Sequence, residues 1–290
     1  MPVSELSYKS ADGTKIVAYK WEPEDPPRAV VQITHGMGEH ARRYQHVAQA
    51  LNDAGFVVYA QDHRGHGATG DPAAYGNLSE GGWTALVDDI GLLSEKIRVD
   101  HPGLPLILLG HSMGSFAVQQ YLLDHSADVD GVVLTGTAAI DLLEPALDLD
   151  VPLDLTGFNA PFQPARTDYD WLSRDEAIVD AYIADPACGF GIDADSAKVM
   201  FAGARRLADP AQVAVIRDSL PVYIAVGEAD PVNGGLALLT PLTERLKSAG
   251  LTDVTVRTYP EARHEILNET NRDEVITELN SWLGRVASAG

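Results

Sequence analysis

The 290-residue sequence has little cysteine and no long apolar run. Cys188 is the only cysteine, so the chain has no second thiol for an intramolecular disulfide. No apolar stretch approaches the roughly 18 residues that a membrane-spanning helix needs. The first residues, MPVSELSYKSADG, lack both the basic and the apolar region of a secretory signal. These three features predict a cytoplasmic protein that does not insert stably into a membrane.

Basic residues are also scarce, because 21 Lys and Arg face 42 Asp and Glu and give a formal net charge of −21. Proteins that bind nucleic acid need clustered Lys and Arg to displace the counterions of the phosphate backbone. We therefore expect no nucleic-acid partner, and we expect anionic membrane surfaces to repel the chain. Neither composition nor charge fixes an oligomeric state.

The order of predicted elements indicates an α/β protein. Asp12-Gly13 joins two short segments and predicts a hairpin. Short apolar strands then alternate with helical stretches, which is typical of a mostly parallel sheet of about eight strands covered by helices. The strands after the hairpin are predicted at Ala29–Thr34, Phe56–Ala60, Leu106–Leu109, Gly131–Leu134, Pro221–Val226 and Asp253–Tyr259.

Residues 137–215 interrupt this alternation and contain six prolines. A long irregular insertion after a central strand is usually functional, and we interpret this one as a cap over the site. The predicted organisation is a core in two parts, 1–136 and 216–290, with the cap between them.

Around Leu147–Val151 the pattern fits a strand and a helix equally well. Apolar cap residues are candidates for an acyl pocket, although a small core within the cap is the commoner role; the candidates are Leu142, Leu147, Phe158 and Phe162.

A G-x-S-x-G pentapeptide, Gly110-His111-Ser112-Met113-Gly114, lies between a predicted strand and a predicted helix. The turn at such a site is so sharp that side chains at the two glycine positions would collide with neighbouring backbone. The serine at its tip is exposed above the sheet at the beginning of a helix. This arrangement is the nucleophile elbow of an α/β-hydrolase fold, and it predicts Ser112 as a nucleophile.

A serine hydroxyl needs a base to take its proton and an acid to orient that base. In this fold the chain order is serine, acid, histidine. His264 follows the last strand and is the predicted base. Asp230, which precedes Pro231 in the loop after the penultimate strand, is the predicted acid, and Glu228 is the alternative.

The tetrahedral intermediate of acyl transfer also needs two backbone N–H donors. One should come from Met113, the residue after the nucleophile. The other should come from Met37, in the His35–His40 loop after the first central strand. Asp62, Arg64 and His66 resemble a catalytic cluster, but we expect them to brace the neighbouring loops.

Several motifs together resemble the monoglyceride lipase and lysophospholipase-like branch of the α/β-hydrolases. They are His35-Gly36-Met37-Gly38-Glu39-His40 with Arg43-Tyr44, Asp62-His63-Arg64-Gly65-His66-Gly67, Gly110-His111-Ser112-Met113-Gly114, Asp230-Pro231-Val232, and Arg263-His264-Glu265-Ile266-Leu267-Asn268-Glu269. The resemblance implies the triad Ser112, Asp230 and His264, an oxyanion hole at Met37 and Met113, and no cofactor or metal. It also implies single-chain ester substrates such as monoacylglycerol or lysophospholipid. Ser115 departs from the glycine usual in these lipases, and the cap matches no characterised one.

The leading hypothesis is thus a serine hydrolase of small-molecule carboxylic esters. An amidase, an aminopeptidase or an acyltransferase would use the same residues, since all pass through an acyl-enzyme. A catalytically silent binding protein is the remaining alternative. Acids outnumber bases 14 to 5 in residues 137–215, which favours dispersed or micellar esters over anionic bilayers as the substrate.

Overall fold

An eight-stranded sheet forms the centre of the computed structural model, which describes residues 3–288. The strands lie in the order β1-β2-β4-β3-β5-β6-β7-β8. Their bounds are β1 Val3–Lys9, β2 Lys15–Trp21, β3 Ala29–Thr34, β4 Phe56–Gln61, β5 Leu106–His111, β6 Gly131–Thr135, β7 Val222–Gly227 and β8 Val254–Tyr259. The helices are α1 Gln45–Asp53, α2 Gly82–Asp100, α3 Met113–His125, α4 Glu176–Ala184, α5 Ala194–Arg206, α6 Pro210–Val213, α7 Leu239–Ser248 and α8 Arg272–Ala287.

The first two strands form the hairpin predicted from Asp12-Gly13, with Lys9 opposite Lys15. Strand β2 is antiparallel to β4, and every further pairing in the sheet is parallel. The predicted α/β-hydrolase fold with a mostly parallel sheet of about eight strands is confirmed.

Strands β3 to β7 are buried from end to end, because helices cover both faces of the sheet. Successive residues of a strand point to opposite faces, so each strand contributes to two cores. On β5, Leu108 packs in the core with α2, α3 and α7, whereas Ile107 and Leu109 pack with α1 and α8. The continuous apolar runs in the sequence arise from this two-sided burial.

Between β6 and β7 the chain leaves the sheet and covers its carboxyl edge. This segment contains α4, α5, α6 and four short 3₁₀ segments, at Ile140–Leu142, Glu144–Ala146, Leu155–Phe162 and Asp170–Leu172. Around Leu147–Val151 the chain forms neither of the predicted alternatives, because Pro145 and Pro152 bound a region without helix or strand. The division into 1–136, 137–215 and 216–290 stays a prediction. No helix within residues 3–288 is long and apolar enough to cross a bilayer.

The carboxyl ends of the parallel strands meet at one edge, where ligands bind in open α/β sheets. The loop after β3 carries Met37, and Ser112 directly follows β5. The loop after β7 carries Asp230, and the loop after β8 carries His264. The topology therefore gathers all five predicted site residues, Met113 included, at this edge beneath the cap.

The central position of β5 generates a stability prediction. Truncating Leu108, which is fully buried, should leave a cavity and lower the free energy of unfolding by about 2–5 kcal/mol. Val99 on α2 is 80% exposed, so Val99→Ala should change it by no more than about 0.5 kcal/mol. Urea unfolding of Leu108→Ala and Val99→Ala measures both values. Equal effects of the two substitutions would contradict the burial of β5.

Candidate active site

Ser112 occupies the strained turn between β5 and α3. Its φ of +51° and ψ of −123° lie in a region that a non-glycine residue rarely adopts. The backbone N–H of Ser112 donates to the carbonyl of Thr135 at 2.9 Å, which holds the turn against β6. The side chain is half-buried and faces an apolar cavity. Local strain therefore exposes this hydroxyl.

The two glycines that flank the turn are required by its packing. A Cβ on Gly114 would lie 2.1 Å from the carbonyl oxygen of Thr34, and one on Gly110 would lie 2.7 Å from the Cα of Ser115. Backbone atoms cannot move aside as a flexible side chain can. Ser115 itself fits, because its hydroxyl donates to the carbonyl of Ser112 at 2.6 Å and lies within hydrogen-bond distance, 2.9 Å, of the Thr137 hydroxyl.

His264 and Asp230 form a buried pair on neighbouring loops. His264 Nδ1 lies 2.9 Å from Asp230 Oδ2 and 3.0 Å from Oδ1. Asp230 Oδ1 also accepts a hydrogen bond from the backbone N–H of Val232 at 2.9 Å, which fixes the carboxylate. Glu228, the alternative acid, accepts instead from the Thr258 hydroxyl at 2.9 Å. Of the two acids after β7, the structure thus brings Asp230 to His264.

Burial and charge act in opposite directions on the pKa of His264. Desolvation lowers the pKa of this buried ring, while the Asp230 carboxylate raises it by charge and by hydrogen bonding. The net direction is upward from the ordinary histidine value. The neighbouring His111, whose ring centroid lies 4.9 Å away, has its pKa lowered to about 4 by burial and by His264. Asp230 therefore singles out His264 as the ring that can accept a proton.

The second nitrogen of His264 is available on the other side of the ring. His264 Nε2 is buried and has no hydrogen-bond partner among the described residues. The ring lies between His111 and Trp171, both at a centroid distance of 4.9 Å. Ser112 is the chain neighbour of His111, whose ring packs against that of His264.

Met37 and Met113 border the same cavity as Ser112. In the loop after β3, the N–H of Gly36 donates to Glu39 Oε1 at 2.6 Å and that of Gly38 donates to His66 Nε2 at 3.2 Å. These two bonds hold the loop on either side of Met37. Met113 is the first residue of α3, where the backbone N–H has no partner within the helix.

A charge cluster joins the Met37 loop to the His264 loop. No role for its residues was predicted from the sequence. Arg43 Nη1 lies 2.6 Å from Glu39 Oε2, and Arg43 pairs with both carboxylate oxygens of Glu265 at 2.7 and 2.8 Å. Tyr44 donates to Glu39 at 2.8 Å. These positions stood out in the sequence only as members of the family-like motifs.

Asp62, Arg64 and His66 brace loops, as predicted. Asp62 accepts from the backbone N–H groups of Ala41 and Ala68, each at 2.8 Å. His66 accepts from Gly38, as described above. Arg64 pairs with Asp89 at 2.9 Å and with Asp12 at 2.8 Å. All three thus make hydrogen bonds that hold backbone segments or α2 in place.

The cavity beneath the cap is apolar and has an empty volume of about 530 Å³, counted out to its mouth. Leu147 and Phe158, two of the predicted pocket residues, line it. Leu142 and Phe162 do not. Leu142 is 46% exposed, because the 3₁₀ turn at 140–142 directs Ile140 inward in its place. The Phe162 ring packs under the Arg263 guanidinium at 4.5 Å.

Several residues that line the cavity were not predicted from the sequence. They come from the elbow helix, the cap and the loop after β7, so no single periodic segment marks them. They are Phe116, Ile140, Asp154, Trp171, Met200, Phe201 and Val232. Leu143, Leu153 and Leu155, which belong to the apolar cap residues that the sequence offers for an acyl pocket, also line the cavity.

The cap is hydrogen-bonded directly to the His264 loop. The backbone N–H of His264 donates to the carbonyl of Trp171 at 3.3 Å, and that of Glu265 donates to Leu172 at 2.8 Å. Arg263 donates to the carbonyls of Asp170 and Ser173. The Asp170–Leu172 turn is therefore a fixed support of the His264 loop.

The elbow geometry predicts that Gly114→Ala is destabilising. The added methyl group meets the backbone oxygen of Thr34, so we expect a loss of about 1–3 kcal/mol in the free energy of unfolding. Gly157→Ala is the matched control, since a Cβ there meets no atom within 4 Å. Urea unfolding of both variants tests the prediction, and a Gly114→Ala variant as stable as the control would refute it.

The electrostatics predict that Asp230→Asn lowers the pKa of His264. The substitution removes the charge that raises this pKa and leaves the desolvation that lowers it. NMR titration of the His264 ring carbon measures the change. Glu228→Gln is the control and should leave the titration where it is in the wild type, because Glu228 bonds to Thr258. If the pKa of His264 fell equally in both variants, the cause would be the general loss of negative charge and not the Asp230 contact.

Comparison with known proteins shows which family the chain belongs to. The chain matches the serine aminopeptidase, S33, family over residues 25–271. A monoacylglycerol lipase from Mycolicibacterium smegmatis is 36% identical, over 97% of this chain and 96% of the relative. A monoglyceride lipase from Mus musculus is 31% identical, over 100% of this chain and 94% of the relative.

Solved structures agree with these relatives. A carboxyl esterase from Bacillus coagulans superposes with a TM-score of 0.87 at 30% identity and covers 99% of both chains. A soluble variant of monoglyceride lipase from Saccharomyces cerevisiae gives 0.80 at 20% identity, covers 99% of this chain and 95% of its own, and supports the fold alone. The chain is a hydrolase that belongs to the serine aminopeptidase, S33, family of α/β-hydrolases and is similar to monoacylglycerol and monoglyceride lipases.

Proposed function

We propose that the protein hydrolyses monoacylglycerol and similar single-chain carboxylic esters through an acyl-enzyme on Ser112. One observation carries the proposal: the strained Ser112 opens into an apolar cavity, and Trp171 in the cavity wall packs on the ring of His264, which is paired with the buried Asp230. Relatives named monoacylglycerol lipase and monoglyceride lipase, aligned over nearly the whole chain, support the same substrate class.

Each residue has one role in the proposed reaction. His264 Nε2 takes the proton of Ser112 Oγ as that oxygen attacks the ester carbonyl carbon. Asp230 holds the ring through Nδ1 and stabilises the imidazolium. The N–H groups of Met37 and Met113 donate to the oxyanion. His264 then returns the proton to the leaving alcohol, and a water molecule releases the acid by the same steps.

The cavity supports an acyl chain as the buried part of the substrate. Its lining is almost entirely aliphatic, aromatic or thioether, which suits a hydrocarbon chain. The polar alcohol of the ester would then face the mouth. The acidic surface of the cap favours dispersed or micellar esters, and the lone Cys188 favours a cytoplasmic location.

The cavity argues against the aminopeptidase alternative. A peptidase that acts at an N-terminal residue needs a buried acid to bind the free amino group. Among residues 3–288, Asp154 is the only acid that lines the cavity, and it is exposed. Its carboxylate already accepts from the backbone N–H and the hydroxyl of Thr156, at 2.8 and 2.7 Å.

Labelling and hydrolysis assays test the proposal together. A fluorophosphonate should form a single adduct on Ser112, and the protein should release glycerol from monoacylglycerol faster than it cleaves aminoacyl anilides. Ser112→Ala should lower kcat/KM by at least about 10⁴-fold with an unchanged far-UV spectrum. Ser4→Ala, an exposed serine on β1, is the control and should retain full activity.

Three outcomes contradict parts of the proposal. Absence of an adduct would point to a silent binding protein, and faster cleavage of anilides would point to an amidase or aminopeptidase. Acyl transfer to an added alcohol in preference to water would point to an acyltransferase.

A further inference from the structure

Three side chains with metal-binding atoms meet where the Met37 loop touches the cap. One ligand atom from each of His40, Asp185 and Cys188 lies within 4.8 Å of the other two. His40 Nε2 and Asp185 Oδ2 are 2.9 Å apart. Within residues 3–288, no other group of three or more His, Cys, Asp or Glu side chains has this spacing. Neither Asp230 nor His264 belongs to it, so the group is separate from the proposed catalytic residues.

The ligand types select zinc among the common divalent ions. Imidazole nitrogen, thiolate sulfur and carboxylate oxygen all bind Zn²⁺, at about 2.0–2.3 Å. Ligand atoms of a tetrahedral zinc site are then roughly 3.5 Å apart, which lies inside the present spread of these three atoms. Mg²⁺ and Ca²⁺ prefer oxygen ligands throughout, so the sulfur and the nitrogen disfavour them.

The local backbone presents two of the ligands in advance. Asp185 Oδ1 accepts from the N–H of Ala187 at 2.9 Å, which leaves Oδ2 directed at His40. The N–H of Cys188 donates to the carbonyl of Asp185 at 3.0 Å, so the 185–188 turn holds the thiol beside the carboxylate. Hydrogen-bonded ligands of this kind need little reorganisation to bind an ion.

The same turn leads into the contact between the cap and the Met37 loop. The N–H of Gly189 donates to the carbonyl of Gly38 at 3.0 Å. The ring of Phe190 stacks on Tyr75 at 4.9 Å and lies 5.0 Å from the ring of His66. An ion held by His40 from one side and by Asp185 and Cys188 from the other would tie these two loops together.

We propose that His40, Asp185 and Cys188 bind one Zn²⁺ ion, with a water molecule in the fourth position, and that the ion fastens the cap to the Met37 loop. On coordination the thiol of Cys188 releases its proton to solvent, and the proton that His40 Nε2 shares with Asp185 is replaced by one on Nδ1, so that Nε2 can bind the ion. Because Met37 borders the cavity, a fastened loop should slow the entry and release of ester. This second consequence rests on the proposed function, whereas the binding of zinc does not.

Metal titrations of the full chain, prepared without a histidine tag and treated with a chelator, test the site. We expect one Zn²⁺ per chain by calorimetry. We also expect Co²⁺, used as a spectroscopic probe, to give a tetrahedral spectrum with a thiolate charge-transfer band. Cys188→Ser should abolish that band, and Cys188→Ser, Asp185→Asn and His40→Gln should each weaken zinc binding at least tenfold. Thermal unfolding of the metal-free variants checks that each is folded.

A matched control comes from a second His–Asp pair that lacks a cysteine. His125 Nδ1 lies 3.1 Å from Asp128 Oδ2 at an exposed position. His125→Gln should leave zinc affinity and the cobalt spectrum unchanged. The proposed site is wrong if His125→Gln weakens binding as much as His40→Gln, or if Cys188→Ser keeps the charge-transfer band.

The effect on hydrolysis is a separate measurement. Saturating Zn²⁺ should lower the rate of ester hydrolysis several-fold in the wild type and leave it unchanged in Cys188→Ser. An equal effect on both proteins would overturn the proposed fastening of the loop. If the wild type hydrolyses no ester at all, the proposed function fails, while the calorimetric and cobalt results still decide the zinc site.

Discussion

The arrangement of the site depends on one cation, Arg43, whose side chain is only 12% exposed and is held between the buried carboxylates of Glu39 and Glu265. Strand β8 lies four positions from β3 in the sheet, so the two strands are about 19 Å apart. The loops that follow them nevertheless meet, because Arg43 pairs with Glu39 on one loop and Glu265 on the other. Burial alone would raise the pKa of Glu39, but Arg43 brings it below the ordinary value, so both partners stay charged. A cation that must be paired thereby fixes the distance between the Met37 loop and the His264 loop.

Most features that depend on neighbouring residues in the chain could be predicted from the sequence. Strands such as Leu106–His111 are continuous apolar runs because both faces are covered, and the Gly110 and Gly114 positions follow from contacts of the turn itself. The choice of Asp230 over Glu228 followed from its place in the loop, and the structure brings that residue to His264. The Arg43 cluster could not be predicted in this way, since Glu265 is over two hundred residues from Glu39 and Arg43 and meets them only through the tertiary fold.

The cap escaped prediction for a different physical reason. Between Ile140 and Leu172 its regular structure consists only of short 3₁₀ segments, so neither the period of a helix nor that of a strand persists long enough there to be recognised in the sequence. Leu142 and Leu147 look alike in the sequence, yet one is exposed and the other lines the cavity. Packing against α3 and α5, rather than local pattern, decides which apolar residues face the Ser112 side.

The two halves of the cap differ in how strongly a change in their sequence would disturb His264. The carbonyls of Trp171 and Leu172 accept the backbone N–H groups of His264 and Glu265, so an insertion or deletion in that turn would displace the imidazole. The cavity-lining residues between 143 and 158 make no backbone hydrogen bond to the His264 loop within the described part of the chain. A substitution in the first half can therefore change the shape of the cavity while the imidazole keeps its position, whereas a change in the Asp170–Leu172 turn affects the cavity wall and the imidazole together.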